Sequence, residues 1–126
     1  MKDDRKEFGK NIEKLAADYL QHNGYEILEQ NYRAGHKEID IIARHKRTIV
    51  FVEVKGSRQL GFGHPIRRVT KKQQVNILTA ARKYIMDNMF EGYDFRLDII
   101  CFLPRERGGG YTLEHMKGAF TESGSP

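Results

Sequence analysis

Thr48-Ile49-Val50-Phe51-Val52-Glu53-Val54-Lys55 is the stretch on which the reading of this chain turns. It is β-branched and apolar enough to be a buried strand. Side chains alternate between the faces of a strand, so Glu53 and Lys55 point one way while Val50, Val52 and Val54 point the other. Charges on so apolar a strand are costly to bury unless they are paired or bind a metal. The strand needs neither charge in order to fold, and a local conflict of that kind is what a functional site produces.

Working outward, the preceding stretch Glu38-Ile39-Asp40-Ile41-Ile42 reads as part of a strand over 38–44. Strict alternation puts Ile39 and Ile41 on one face, and Glu38, Asp40 and Ile42 on the other. A short charged turn at 45–47 pairs this strand with the next as a hairpin. Paired strands lie about 4.8 Å apart, so Asp40 and Glu53 can meet on one face if the register allows. Two carboxylates at that separation suit a hard divalent cation, Mg²⁺ or Mn²⁺, which takes oxygen ligands and keeps waters. Such an ion acidifies a bound water and neutralises charge on a phosphate. Lys55 is then placed to orient or deprotonate the water, or to stabilise developing charge; the sequence does not separate these roles.

The rest of the chain frames this pair of strands. Residues 8–22 read as a helix with Ile12, Leu15, Ala16, Tyr19 and Leu20 on one face, closed by Gly24. Glu13 stands with Ala16, Ala17 and Leu20 at helical spacing and borders the packing face. Strands are expected at 25–33, 38–44, 48–55 and 93–103, with a short fifth at 111–116. A second helix over 70–90 has Ile77, Leu78, Ala81, Tyr84, Ile85 and Met89 on one face and Thr70 as its N-cap. Gln74, one turn before Ile77 and Leu78, is a further residue that looks toward the strand ends. The order α-β-β-β-α-β-β predicts a single α/β domain over 1–120, a mixed sheet flanked by helices, with 121–126 a small polar tail that frays.

Composition bounds the chemistry. The chain has 126 residues, 39% hydrophobic and 31% charged, an ordinary balance for one domain. Its apolar runs are too short to span a bilayer, and the charged first ten residues have no apolar core of a leader. We expect a cytoplasmic protein with no membrane partner. Cys101 is the single cysteine, so a disulfide within the chain and a cysteine zinc site are excluded. His36 and His64 lack a second ligand at metal spacing. The net charge of +5 favours an acidic partner, nucleic acid first among them. Arg67, Arg68, Lys71 and Lys72 form the densest basic cluster and read as backbone-phosphate contacts, or as a solvated helix start.

Gly9, Glu13, Leu15-Ala16, Tyr19-Leu20, Gly24-Tyr25, Ile27-Leu28, Asn31-Tyr32-Arg33, Glu38-Ile39-Asp40 and Val50 to Lys55 together resemble the YraN-like family of small bacterial proteins. That family is similar in fold to the archaeal Holliday junction resolvases and to restriction endonucleases. The resemblance covers roughly residues 8 to 115. It implies a restriction-endonuclease-like, or PD-(D/E)xK, core and endonuclease chemistry on DNA. Asp40 matches the metal-binding aspartate, Glu53 and Lys55 match the E-x-K pair, and Glu13 matches the first-helix glutamate. A branched or junction DNA substrate and a homodimer are implied in the same way. Two departures touch the loops: Lys37 stands where the family usually has glycine before Glu-Ile-Asp, and Gly56-Ser57 precede Arg58 where Thr-Arg often follows the lysine.

Other readings compete. Glu53 and Lys55 could be a charge pair on an edge strand, Glu13 a surface carboxylate, and Glu38 a solvated charge. At the level of function, a protein that binds nucleic acid on this fold without cutting it is the second reading. A protein-interaction module is the third, and leaves Asp40, Glu53 and Lys55 unexplained.

Overall fold

The computed structural model describes residues 4–59, 61 and 63–120. The tail expected at 121–126 lies outside the described residues. Helix α1 (Asp4–His22) leads into strands β1 (Glu26–Ala34), β2 (Lys37–His45) and β3 (Thr48–Gly56). A 3₁₀ turn (Pro65–Arg68) precedes helix α2 (Lys71–Asp87), followed by β4 (Asp94–Pro104) and β5 (Tyr111–Met116). The strands form one sheet in the order β1-β2-β3-β4-β5. Only β3 and β4 are parallel, joined by the crossover through α2; the other neighbours are antiparallel. This is the mixed sheet flanked by helices that the element order predicts.

The alternation of β3 builds both layers. Val50, Val52 and Val54 pack with Ile12, Ala16, Ala17 and Leu20 of α1. Ile49 and Phe51, one residue out of phase, pack with Ile77, Ala80, Ala81 and Tyr84 of α2. Each such side chain taken from water contributes about 1.5–3 kcal/mol. The α1 stripe is rotated from the expected one. Ala17 is buried and Leu15 is 44% exposed, because two adjacent alanines let the helix lie close to the sheet. That rotation is the one the spacing of Glu13 with Ala16, Ala17 and Leu20 anticipates.

The helix ends follow local chemistry. Gly24 takes φ 85° and lets Tyr25 N–H reach the Leu20 carbonyl at 2.9 Å. Thr70 caps α2, its Oγ1 accepting from Gln73 N–H while Gln73 Oε1 accepts from Thr70 N–H. The helix stops at Asp87, where the Asn88 amide donates to the Tyr84 carbonyl. Met89 therefore lies beyond the helix, 95% exposed, and not on its apolar face. α1 starts at Asp4 and not at residue 8; its first turns are charged and show little periodicity.

Gly56 sits where the end of β3 passes under α1. A Cβ there would stand 3.0 Å from both Ile12 Cδ1 and Phe8 Cζ. We expect Gly56→Val to lower stability by about 1–3 kcal/mol, read in a thermal melt, and Gly56→Ala by less. An unchanged melt for the valine variant would mean that the start of α1 yields.

Candidate active site

The hairpin register pairs Ile41 with Val52 and His45 with Thr48 across a two-residue turn. The pairing ends at Ile41 and Val52, and just beyond it the side chains of Asp40 and Glu53 share a hydrogen bond. Here the ladder changes partners: Val54 N–H donates to Asp40 Oδ2 at 2.8 Å. The carboxylate takes the place of a backbone carbonyl, so the two strands part. On the other flank Asn31 holds a left-handed φ of 52°, a conformation asparagine tolerates better than most residues. The two distortions break the alternation of β2. Ile39 packs with Ile42 and Phe51 on the α2 side, and Ile41 with Ala43 and Val50 on the α1 side. The expectation that Ile39 and Ile41 share a face is thus corrected; a backbone set by tertiary bonds overrides the period of two.

The opened strands line a polar cleft of about 400 Å³. Glu13 of α1, Glu38 and Asp40 of β2, and Glu53 and Lys55 of β3 border it, with His36 and Lys37 from the preceding turn. Gln73, Asn76 and Ile77 of α2 close the far side. Burial pushes the Glu53 carboxyl up to about 9, reinforced by its hydrogen bond with Asp40 and the Asp40 charge. The Lys55 ammonium opposes this without overcoming it. Burial likewise raises Glu13 to about 7, helped by Asp40 and Glu38 and opposed by a bond from Asn31. With its amide nitrogen turned to the carboxylates, Asn31 donates to Glu13 Oε1 at 3.0 Å and to Glu38 Oε1 at 2.9 Å.

Carboxylates crowded until one retains a proton near neutrality form a donor set that suits a cation. Asp40 and Glu53 are the pair that could hold one, with Glu13 at the margin. No three His, Cys, Asp or Glu side chains among the described residues form a closed metal cage. A pair fits Mg²⁺, which is usually bound by one or two carboxylates and completes its shell with water and substrate phosphate.

Of the residues singled out in the sequence, Glu13, Asp40, Glu53 and Lys55 come together in this cleft. Gln74 does not line it; its neighbour Gln73 does, because one residue along a helix turns the side chain by about 100°. The signal for Gln73 was the Thr70-x-x-Gln73 capping box, which turns that side chain back to the helix start. Asn31 stands among the residues that carry the family resemblance, which gave it no role, and Asn76 carries no comparable signal. Arg67, Arg68, Lys71 and Lys72 are exposed and outside the cleft. Arg68 donates instead to the Gly56 carbonyl. His64 caps the 3₁₀ turn: its Nδ1 accepts from Ile66 N–H, so Nε2 is the protonated nitrogen and donates to Glu114 at 2.9 Å. Burial raises the Cys101 thiol to about 11, which keeps it inert. A second hollow, about 350 Å³ and largely apolar, lies between α2 and β4 against Phe51, Ala81, Phe95 and Phe120, with no carboxylate in its lining.

Comparison with known proteins places the chain among small bacterial relatives. The model of "Uncharacterised protein family UPF0102", which is the YraN family, matches residues 12–102. A UPF0102 protein of Chlorobium limicola is 40% identical over 126 residues, covering 97% of this chain and 98% of the relative. One of Chloroherpeton thalassium is 41% identical over 99 residues, 79% of this chain and 77% of the relative. One of Syntrophotalea carbinolica is 40% identical over 112 residues, 89% of each chain.

Proposed function

The chain belongs to the uncharacterised protein family UPF0102, and from that premise we propose that it is a metal-dependent endonuclease that hydrolyses phosphodiester bonds in DNA on a restriction-endonuclease-like core. The relatives' names state no activity, so the reading rests on the site. The observation that carries it is the meeting of Asp40, Glu53 and Lys55 in one polar cleft, with Glu13 of a separate helix beside them.

A divalent ion bound by Asp40 and Glu53, Mg²⁺ or Mn²⁺, would supply Lewis acidity toward the phosphate and an acidified water. The protein's own groups do the rest. Asp40 is fixed in place by Val54 N–H. Lys55 puts a positive charge beside Glu53, where an anionic phosphate oxygen is stabilised. Glu13, raised to about 7, exchanges a proton near neutrality and suits the removal of one from the attacking water. Gln73 and Asn76 offer amide donors on the opposite wall. The likeness to resolvases extends the proposal to branched DNA and a homodimer, whose two clefts would cut two strands.

The test is a cleavage assay on labelled single-stranded, duplex, flap and four-way-junction DNA. Each is offered with Mg²⁺, Mn²⁺ or chelator to wild type and to Glu53→Ala. We expect metal-dependent cutting by wild type and background by the variant, with the preferred substrate naming the class. Salt-sensitive binding by both proteins and cutting by neither would replace this reading with that of a nucleic-acid-binding protein. Absence of both binding and cutting would leave the protein-interaction reading.

A further inference from the structure

Of the carboxylates that border the cleft, Glu13 alone comes from a helix. It stands half-buried, with Asp40 and Glu38 both repelling it. A glutamate side chain held still also gives up about 1.5–2 kcal/mol of rotamer freedom. Left to these forces it turns away to water. Among the described residues the Asn31 amide is the one group that donates a hydrogen bond to it. The amide nitrogen lies 3.0 Å from Glu13 Oε1 and 2.9 Å from Glu38 Oε1. That nitrogen carries two hydrogens, so one serves α1 and the other β2. Two like charges are thereby held at a fixed spacing. The amide is also neutral. A lysine or arginine in its place would bind both carboxylates but would cancel the negative potential that a cation needs.

The backbone of Asn31 is set for this task. Gln30 pairs with Ile41 and Tyr32 with Ile39, so Asn31 stands on β1 beside the part of β2 that carries Asp40. A register shift between Ile27 and Glu29 lies just before it. Between paired neighbours the residue takes φ 52°. Apart from Lys46 in the hairpin turn, it is the one described residue other than glycine with a positive φ. Such a conformation inside a strand costs about 1–3 kcal/mol and persists where the surroundings over-determine it, above all at functional sites. Asparagine adopts it more readily than the longer glutamine does.

We propose that Asn31 is a positioning residue of this site, its side-chain amide tying Glu13 of α1 to Glu38 of β2 so that Glu13 stays in the cleft with Asp40 and Glu53. The inference rests on the nuclease reading above and adds to it the group that sets Glu13. Asn31 acts through Glu13 and bonds to neither Asp40 nor Glu53. It therefore bears on the rate of the chemical step, and not on the capture of metal or DNA.

The experiment separates the amide from the backbone. Asn31→Gly keeps the left-handed conformation and removes the amide, whereas Asn31→Ala removes both the amide and that tolerance. They are compared with wild type, Glu13→Gln and Glu13→Gln/Asn31→Gly. Thermal melts in chelator report the fold, and calorimetric titration with Mn²⁺ reports metal binding. Single-turnover cleavage of the DNA that wild type prefers reports rate and half-saturation, which separate chemistry from binding. We expect Asn31→Gly to melt near wild type and above Asn31→Ala, and to bind Mn²⁺ and DNA as wild type does. Its cleavage rate should fall about 10-fold or more. In the Glu13→Gln background that loss should shrink to about 2-fold or less, since the two residues act as a unit. A wild-type rate in Asn31→Gly overturns the inference and leaves Asn31 a backbone role alone. The same loss on top of Glu13→Gln overturns it too, because Asn31 then acts other than through Glu13. So does weakened binding of Mn²⁺ or DNA with an unchanged rate. Each of these leaves the nuclease reading intact. No cleavage by wild type on any of the four DNA forms overturns that reading and this inference with it.

Discussion

Glu53→Gln is expected to abolish metal-dependent cleavage and, at the same time, to make the metal-free protein more stable at alkaline pH. Both effects have one origin. Glu53 is half-buried beside Asp40, and its carboxyl is pushed up to about 9 from the ordinary 4.5. The folded protein therefore keeps a proton that the unfolded chain surrenders. The stability this contributes is fully present below 4.5 and is lost as pH rises toward 9. Each pKa unit corresponds to about 1.4 kcal/mol. The cleft admits solvent, so the effect that survives is on the order of 2 kcal/mol. Glutamine resembles the protonated acid and removes this contribution to the slope. What slope is left belongs largely to Glu13, raised to about 7 and so of the same sign. A divalent cation needs the ionised carboxylate, so Mg²⁺ should stabilise wild type more at high pH than at low, and the variant hardly at all. Thermal melts in chelator and in Mg²⁺ across this range check both parts. A wild-type profile that stays flat in chelator would sink the electrostatic account, and a glutamine variant that still cuts would sink the assignment.

The same residues show how far the sequence could be read. The two faces of β3 followed from alternation alone, because that strand is central, regular and paired on both sides. The cap of α2 followed from Thr70, and the bounds Tyr111–Met116 of β5 coincide with the stretch between two turns. Glu13 was placed at the packing face by spacing with Ala16, Ala17 and Leu20. Where the reading broke, the cause lay outside the local chain. Ile39 and Ile41 part company because Asp40 bonds to Val54 fourteen residues away and Asn31 bends the neighbouring strand. Gln73 stands in the cleft and Gln74 does not, a distinction of one step of helix rotation. Asp98 lay hidden in what looked like an apolar strand over 93–103, since beside Arg96 of the same strand its partners are His115 of β5 and the Gly118 N–H beyond it.

Asp98→Ala is expected to be the most destabilising single change in the domain without touching the cleft. Asp98 has no exposed surface. Its Oδ1 accepts from Arg96 Nε at 2.8 Å and from Gly118 N–H at 3.0 Å. Its Oδ2 accepts from Arg96 Nη2 at 3.0 Å and from His115 Nε2 at 2.7 Å. His115 Nδ1 meets the Tyr19 hydroxyl at 2.9 Å, and Arg96 also donates to the Tyr25 hydroxyl at 2.8 Å. One carboxylate thus ties β4 to β5 and, through two tyrosines, to α1 and the turn beyond it. Burial pushes the Asp98 carboxyl up, but the bonds from His115, Arg96 and Gly118 together outweigh it and hold it below the usual carboxylate value. Its contribution is therefore present above the ordinary 3.8 and is lost as pH falls through the lower folded value. Alanine leaves a guanidinium, an imidazole and a backbone N–H without their acceptor. Removing one partner of such a buried pair costs about 3–5 kcal/mol, a large share of the 5–15 kcal/mol or so that holds a domain together. The melting temperature should fall by roughly 10–20 °C. Tyr19→Phe, which removes only the last hydroxyl of the chain, should cost about 1 kcal/mol. Since Asp98 faces α1 while Glu53 faces α2, Tyr19→Phe should cleave as well as wild type once folded. A folded Tyr19→Phe protein with impaired cleavage would instead join this network to the chemistry. Unimpaired cleavage fits a division of labour: the Asp98 network fixes the strands that carry Asp40 and Glu53, and the cleft, with Glu13 of α1 at its margin, does the chemistry.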